Sequence, residues 1–386
     1  MSDVIYFDNA ATSWPKPPAV TERMTRFLAH EAANPGRAGH RMAVGAEKTL
    51  DQVRKLLADF IGGTDLHRLI FTLNATDALN IAIKGLLRQG DHVITTALEH
   101  NSVSRPLVAM AETNFITLTR INFSPETGTV DPADIEKAIT PKTRLIALTH
   151  GSNVLGTIQP IEEIGRIAKA KGVKFLVDGA QTLGVVPIHV QKQHIDVFAF
   201  PGHKSLLGPT GTGGLYVNAT LGIDDFHAFR EGGTGGDSKN PTMPREFPYF
   251  LEGGTPNTVG IAGLGAAVEY VAAHDPAQTL AKERAMVQKI IDAIAPNPKF
   301  TLYGPKSAAN RVGTLSFTLE GYSPQEAGAI LDETFNIAVR PGLHCSPYAH
   351  KAIGTYPDGA IRVSPGHFNT DEELTALLSA LEQLTA

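Results

Sequence analysis

The chain has 386 residues, 42% of them apolar and 19% charged, with a formal net charge of −5, the balance of an ordinary soluble globular protein. It shows no basic footprint for nucleic acid, no apolar run near the roughly 20 residues a membrane helix needs, and a start, Met1-Ser2-Asp3-Val4-Ile5-Tyr6-Phe7-Asp8, without the basic head and apolar core of a secretory signal, so a cytoplasmic location is expected. The single cysteine, Cys345, excludes an intrachain disulfide and a cysteine-based zinc site, and no metal is called for.

In chain order, a short strand ends at Asp8-Asn9-Ala10-Ala11-Thr12, the turn Pro15-Lys16-Pro17-Pro18 follows, and Val20, Met24, Phe27 and Leu28 have helical spacing. The Gly-rich loop 34–40, with Arg37, precedes a helix over about 44–60. Then strands and helices alternate. Strand 69–72 leads to Asn74-Ala75-Thr76-Asp77, which opens a helix over 78–87. Strand 92–96 runs into Leu98-Glu99-His100-Asn101-Ser102; helix 104–112, strand 116–121, a turn at 125–128 and a short helix over 131–138 follow. Strand 145–150 ends in Gly151-Ser152-Asn153, and helix 161–171 puts Ile161, Ile164, Ile167 and Ala168 on one face. Strands 175–177 and 197–200 and a return strand at 214–217 complete the pattern. Residues 230–258 are rich in Gly and Pro, as a flexible linker would be; helices 258–273 and 276–294, strands over 311–319 and 338–340, and a last helix over 371–384 close the chain.

Continuous apolar strands separated by amphipathic helices predict an α/β fold, with a mostly parallel central sheet covered on both faces and a smaller C-terminal α+β domain. The boundary is expected near 260, with 15–260 as the large domain and 1–14 plus 261–386 as the small one. Ligands of such sheets bind beyond the carboxyl ends of the strands. Thr76, His100, Asn153, Asp178, Gln181 and Lys204 each follow a predicted strand or its turn.

Two of these positions carry distinctive chemistry. Lys204, after the apolar run Val197-Phe198-Ala199-Phe200, is costly to desolvate as an ammonium; a neutral lysine is a nucleophile suited to a Schiff base with an aldehyde. Asp178, ending Phe175-Leu176-Val177, can pair with a pyridinium nitrogen, which pyridoxal phosphate (PLP) needs as an electron sink. Free amides at the start of the helix after Asn74 suit an anion such as a phosphate, although plain capping explains the same residues.

Val177-Asp178-Gly179-Ala180-Gln181 and Gly202-His203-Lys204 resemble the paired signature of class V, fold-type I PLP enzymes. Within these the chain is most similar to cysteine desulfurases of the second group, which includes selenocysteine lyases. The resemblance runs from Phe7-Asp8-Asn9-Ala10-Ala11-Thr12 to Asn369-Thr370-Asp371-Glu372-Glu373. It implies a homodimer, with PLP on Lys204, Asp178 at the ring nitrogen, Gln181 at the ring hydroxyl and His100 stacked on the ring. It also implies Ala75, Thr76 and His203 at the phosphate, joined by Thr255 from the partner subunit. Asn153 and Arg362 are then expected at the substrate carboxylate, with Arg37 at the mouth of the site. The chain departs from the family pattern at Ala75, usually Thr, at Pro201, often a hydroxyl residue, and at Leu343, often His.

Arg340-Pro341-Gly342-Leu343-His344-Cys345 reads as a loop in which a His beside a Cys can activate the thiol or carry its proton, and the resemblance makes Cys345 the nucleophile. Arg362 is suited to a bidentate carboxylate clamp, with Arg340 as the alternative. The implied activity is the conversion of L-cysteine, or L-selenocysteine, to L-alanine, with sulfur held on Cys345 for a sulfur-acceptor protein. A class V aminotransferase or epimerase would need the same lysine and aspartate but not the thiol. A non-catalytic scaffold binding a sulfur acceptor would need neither Lys204 nor Asp178.

Overall fold

The computed structural model describes residues 4–36, 39–234 and 239–385. Among these the strands are β1 (Ile5–Tyr6), β2 (Leu69–Thr72), β3 (Asp91–Thr96), β4 (Ile116–Ile121), β5 (Thr143–Thr149), β6 (Lys174–Asp178), β7 (Val197–Pro201), β8 (Gly213–Val217), β9 (Phe300–Tyr303), β10 (Leu315–Leu319), β11 (Ile337–Ala338), β12 (Arg340–Gly342) and β13 (Ala360–Val363). The central sheet has the order β2-β8-β7-β6-β5-β3-β4. From β7 to β4 neighbours are parallel; β8, the expected return strand, runs antiparallel to β7 and β2. Strands β6 and β7 are apolar on successive residues because helices bury both faces of the sheet. Helix Ile161–Lys171 shows the matching pattern, burying Ile161, Ile164 and Ala168.

The C-terminal part holds an antiparallel sheet, β12-β13-β10-β9, and a parallel pair, β1-β11. Its core joins Phe7, Ile290, Phe317, Leu331 and Leu377, so the first strand is stitched to the last third of the chain. Helix Thr258–Ala273 spans residue 260 and buries Ile261, Leu264 and Val268 in the core of the central sheet. Helix Pro276–Ile294 packs into the C-terminal core.

The structure corrects four expected boundaries. The strand expected at 338–340 is two strands in different sheets, β11 and β12; Pro341, which has no N–H to donate, lies on the edge strand β12. The strand expected from 311 begins at Leu315. The fully buried Arg311 instead holds the preceding turn by donating to the carbonyls of Leu155, Tyr303 and Pro305. The helices expected from 78 and 104 start at Ala75 and Asn101, because Asn74 and His100 cap them through side chains that accept the N–H groups of Asp77 and Ser102. No helix among the described residues is long and apolar enough to cross a membrane.

Candidate active site

The carboxyl ends of β2, β3, β5, β6 and β7 lie along one edge of the sheet, and the segments leaving them line a cavity of about 220 Å³. Asp178 is the last residue of β6, and Lys204 lies just past the end of the parallel neighbour β7. Both turns need bare backbone. A Cβ on Gly179 would enter the Phe198 ring, and one on Gly202 would meet the Thr212 side chain. Burial lowers the Lys204 amine to about 8, with Asp178 opposing. Burial also raises the Asp178 carboxyl, against the Ala180 N–H at 2.9 Å and the Lys204 charge. The carbonyl of His203, bonded directly to the Lys204 nitrogen, gathers the Ser13 N–H, the Thr12 hydroxyl and the Lys16 ammonium at 3.0, 3.1 and 2.9 Å. Four atoms of the N-terminal segment and its neighbours thereby hold the lysine backbone, Ser13 adding its hydroxyl at 3.3 Å.

At one wall of the cavity helix Ala75–Leu86 begins with Ala75 and Thr76, whose N–H groups have no carbonyl four residues back. The Thr76 hydroxyl bonds Ser102 Oγ at 2.7 Å, and Ser102 Oγ bonds His100 Nδ1 at 2.8 Å. His100 Nδ1 also accepts the Ser102 backbone N–H, so the neutral ring carries its proton on Nε2. Burial, then the charges of Lys204, Arg340 and Arg362, lower His100 to about 3. His203 Nδ1 is buried without a partner.

The cysteine loop closes another wall. His344 and Cys345 both adopt left-handed backbone, with φ of 50° and 59°, a conformation that costs a non-glycine residue energy and persists only where neighbours enforce it. Here Asn101 N–H binds the Cys345 carbonyl at 2.7 Å, and Asn153 spans the turn, donating to His344 O at 2.6 Å and accepting from Ser346 Oγ at 2.7 Å. Both ends of the Asn153 side chain are thus occupied by the loop. His344 also differs from expectation. Its Nε2 bonds Arg340 O at 2.9 Å and its Nδ1 bonds His350 Nε2 at 3.2 Å, so neither ring nitrogen serves the thiol. The cation facing the sulfur is Arg340, whose Nη2 lies 3.9 Å from Cys345 Sγ. Arg362, 2% exposed, donates to Asp8 Oδ1 at 2.6 Å and Asn153 O at 3.1 Å, while its Nε has no partner.

Of the residues singled out in the sequence, Ala75, Thr76, His100, Asn153, Asp178, Gln181, His203, Lys204, Cys345 and Arg362 line this one cavity. Thr255 borders a separate cavity of about 550 Å³ beside Arg54 and Glu252, and Arg37 lies outside the described residues. Sequence reasoning did not single out Ser102, which joins Thr76 to His100, or the fully buried Glu99, whose carboxyl burial raises to about 8. Glu99 lies three residues past the end of β3, and a fully buried carboxylate is seldom there by chance.

The sequence model of the Aminotransferase class-V family matches residues 5–377. The chain belongs to this family. Similar curated proteins include a probable cysteine desulfurase of Methanothermobacter thermautotrophicus, 35% identical, with 100% of this chain and 95% of the relative covered. A cysteine desulfurase of Escherichia coli O139:H28 is 34% identical, with 98% and 93% covered. Among solved structures, the apo cysteine desulfurase of Thermococcus onnurineus NA1 matches with a TM-score of 0.92 at 35% identity, covering 99% of this chain and 94% of that one. Class-V aminotransferases are PLP-dependent, and the cavity fits that group. It offers a buried amine, a carboxylate at the end of the adjacent strand, a helix N-terminus, and an imidazole nitrogen that lacks an acceptor or donor of its own.

Proposed function

We infer that this chain is a PLP-dependent cysteine desulfurase, taking L-cysteine to L-alanine and leaving the sulfur as a persulfide on Cys345. The observation that carries the reading is that Lys204, Asp178 and Cys345 line one cavity, in a class-V chain whose relatives of that activity align over its full length.

Bound PLP supplies an electron sink beside the α-carbon of the substrate. Lys204 would hold the aldehyde and would take the α-proton of the substrate; an amine lowered to about 8 is neutral often enough near neutral pH to do both. Asp178 would hold negative charge at the ring nitrogen, Gln181 would bond the ring hydroxyl, and neutral His100, with its proton on Nε2, would pack on the ring. Ala75 and Thr76 at the helix start, with His203 Nδ1, hold the phosphate. Arg362 holds the substrate carboxylate. Asn153 contributes by bracing the loop that carries the thiol. Cys345 attacks the substrate sulfur as a thiolate faced by Arg340. The S–S bond forms, the C–S bond breaks, and its electron pair returns to the carbon skeleton, which is protonated to alanine. A sulfur-acceptor protein then removes the outer sulfur. A homodimer completes the site in this reading, Thr255 reaching the phosphate of the partner subunit.

Cys345→Ala tests the assignment. The bound cofactor should still shift its absorbance on addition of L-cysteine, because Lys204, Asp178 and Arg362 are untouched. Alanine and sulfide production should collapse to a few percent or less, roughly what loss of a nucleophile costs. Unchanged sulfide release from the variant would return Cys345 to an inert role.

A further inference from the structure

Arg362 is held in an arrangement that its own sequence neighbourhood does not explain. It lies in β13 and is 2% exposed, and its guanidinium meets a carboxylate from the opposite end of the chain: Nη2 donates to Asp8 Oδ1 at 2.6 Å. Nη1 donates to the Asn153 carbonyl at 3.1 Å. Nε is buried with no partner although Arg362 lines the Lys204 cavity. A guanidinium has five N–H donors in a rigid plane, so fixing both Nη nitrogens fixes where Nε points.

Asp8 is itself held by its backbone. It bridges to Ser364, the Ser364 N–H binds Phe7 O at 2.7 Å, and Asn9 N–H binds Ser364 O at 3.2 Å. Asn9 Nδ2 also bonds Asn369 Oδ1 at 3.1 Å. The carboxylate is therefore presented to Arg362 by a segment that would stay in place without it.

We propose that Asp8 is a positioning residue for the substrate carboxylate: it locks the Arg362 guanidinium, which lines the cavity, in one orientation. This rests on the reading of Arg362 as the carboxylate clamp. Asp8 and the Asn153 carbonyl each take one N–H, and Nη2 and Nη1 each carry a second, so Asp8 orients the clamp rather than standing in for the substrate. Removing it loosens the guanidinium, and the incoming carboxylate must then order it.

Asp8→Asn removes the charge with little change of shape. The expected result is a KM for L-cysteine raised about tenfold, the order of one lost charge-assisted hydrogen bond, with kcat nearly unchanged. Binding is also read without turnover, from the absorbance shift of the bound cofactor titrated with L-cysteine and with cysteamine, which has no carboxylate. Asp8→Asn should weaken the cysteine titration and leave the cysteamine titration as in the parent, and Asp8→Glu should recover part of the cysteine affinity. Thermal melting checks that each variant is folded. Arg362→Gln separates the two layers of the argument. If it weakens cysteine and cysteamine equally, the clamp reading fails. If it weakens cysteine alone while Asp8→Asn leaves cysteine affinity unchanged or tighter, Arg362 is the clamp and the role proposed for Asp8 is overturned.

Discussion

The chemistry of single residues here follows from where burial puts them. Lys204 sits beyond a fully buried strand, and desolvation of the ammonium outweighs the opposing Asp178 charge, lowering the amine to about 8 from 10.5. The neutral form is the nucleophile, so uptake of PLP by the cofactor-free protein should rise with pH through about 8 and level off near 9. The gain between pH 7 and 9 should be about tenfold, as the neutral fraction grows for that value. A stopped-flow series of cofactor uptake measures this. A rate that keeps climbing past pH 10 would mean that Lys204 behaves as an ordinary exposed lysine. His100 and His203, lowered to about 3 and about 4 mainly by burial, are neutral throughout that range and add no step to the profile.

At the scale of an element, the cysteine loop is held by side chains from elsewhere in the chain. Its left-handed turn at His344 and Cys345 is stabilised by Asn153 at both ends, while His344 is locked between Arg340 O and His350, itself bonded to Thr355 Oγ1 at 2.7 Å. The loop has no regular ladder of its own, so losing one brace is felt directly. Asn153→Ala leaves the buried His344 carbonyl and Ser346 hydroxyl short of partners and should cost about 1–3 kcal/mol of stability. Persulfide formation should slow by tenfold or more in single-turnover measurements, because a misplaced nucleophile loses alignment. The absorbance shift with L-cysteine should persist. Loss of that shift with an unslowed persulfide step would instead put Asn153 in direct contact with substrate.

For the whole molecule, the join between the central sheet and the C-terminal part contains a buried carboxyl group as well as the apolar packing of Val185, Leu280 and Val312. Glu283, on the helix Pro276–Ile294, is 6% exposed, and burial raises it to about 8 from 4.5, with the Gly313 N–H opposing. The sign of the linkage follows. Between pH 4.5 and 8 the folded protein keeps the Glu283 proton that the unfolded chain has released, so this group's contribution is full at the acid end and is lost as pH rises through about 8. Glu283→Gln keeps the shape and removes the titration. The melting temperature of the parent relative to the variant should fall from pH 5 to pH 8. Parallel melting curves for the two proteins over that interval would show that Glu283 is ionised in the folded state.

Much of the architecture was readable because its signals are local. The apolar face of the helix Ile161–Lys171 was legible from its spacing, the strand Ile116–Ile121 was expected at its observed bounds, and the apolar runs before Asp178 and Lys204 located both at the sheet edge where the cavity forms. Such signals depend on neighbours a few residues apart, and the chain carries them whether or not it is folded. The pairing of distant groups is of another kind. Arg362 meets Asp8 across 354 residues, Asn153 reaches the cysteine loop across 191, and Gln181 donates to Ala10 O across 171. Periodicity assigns residues to faces and ends of elements, but many donors share each end. Which of them meet is decided by strand order, by the pairing of the first strand with β11, and by the placing of β12 and β13 residues at the cavity. The sequence alone determined that lysine, aspartate and thiol are present at strand ends and in a loop; the tertiary structure decided that Arg340 rather than His344 faces the sulfur, because both His344 nitrogens were already claimed by Arg340 O and His350.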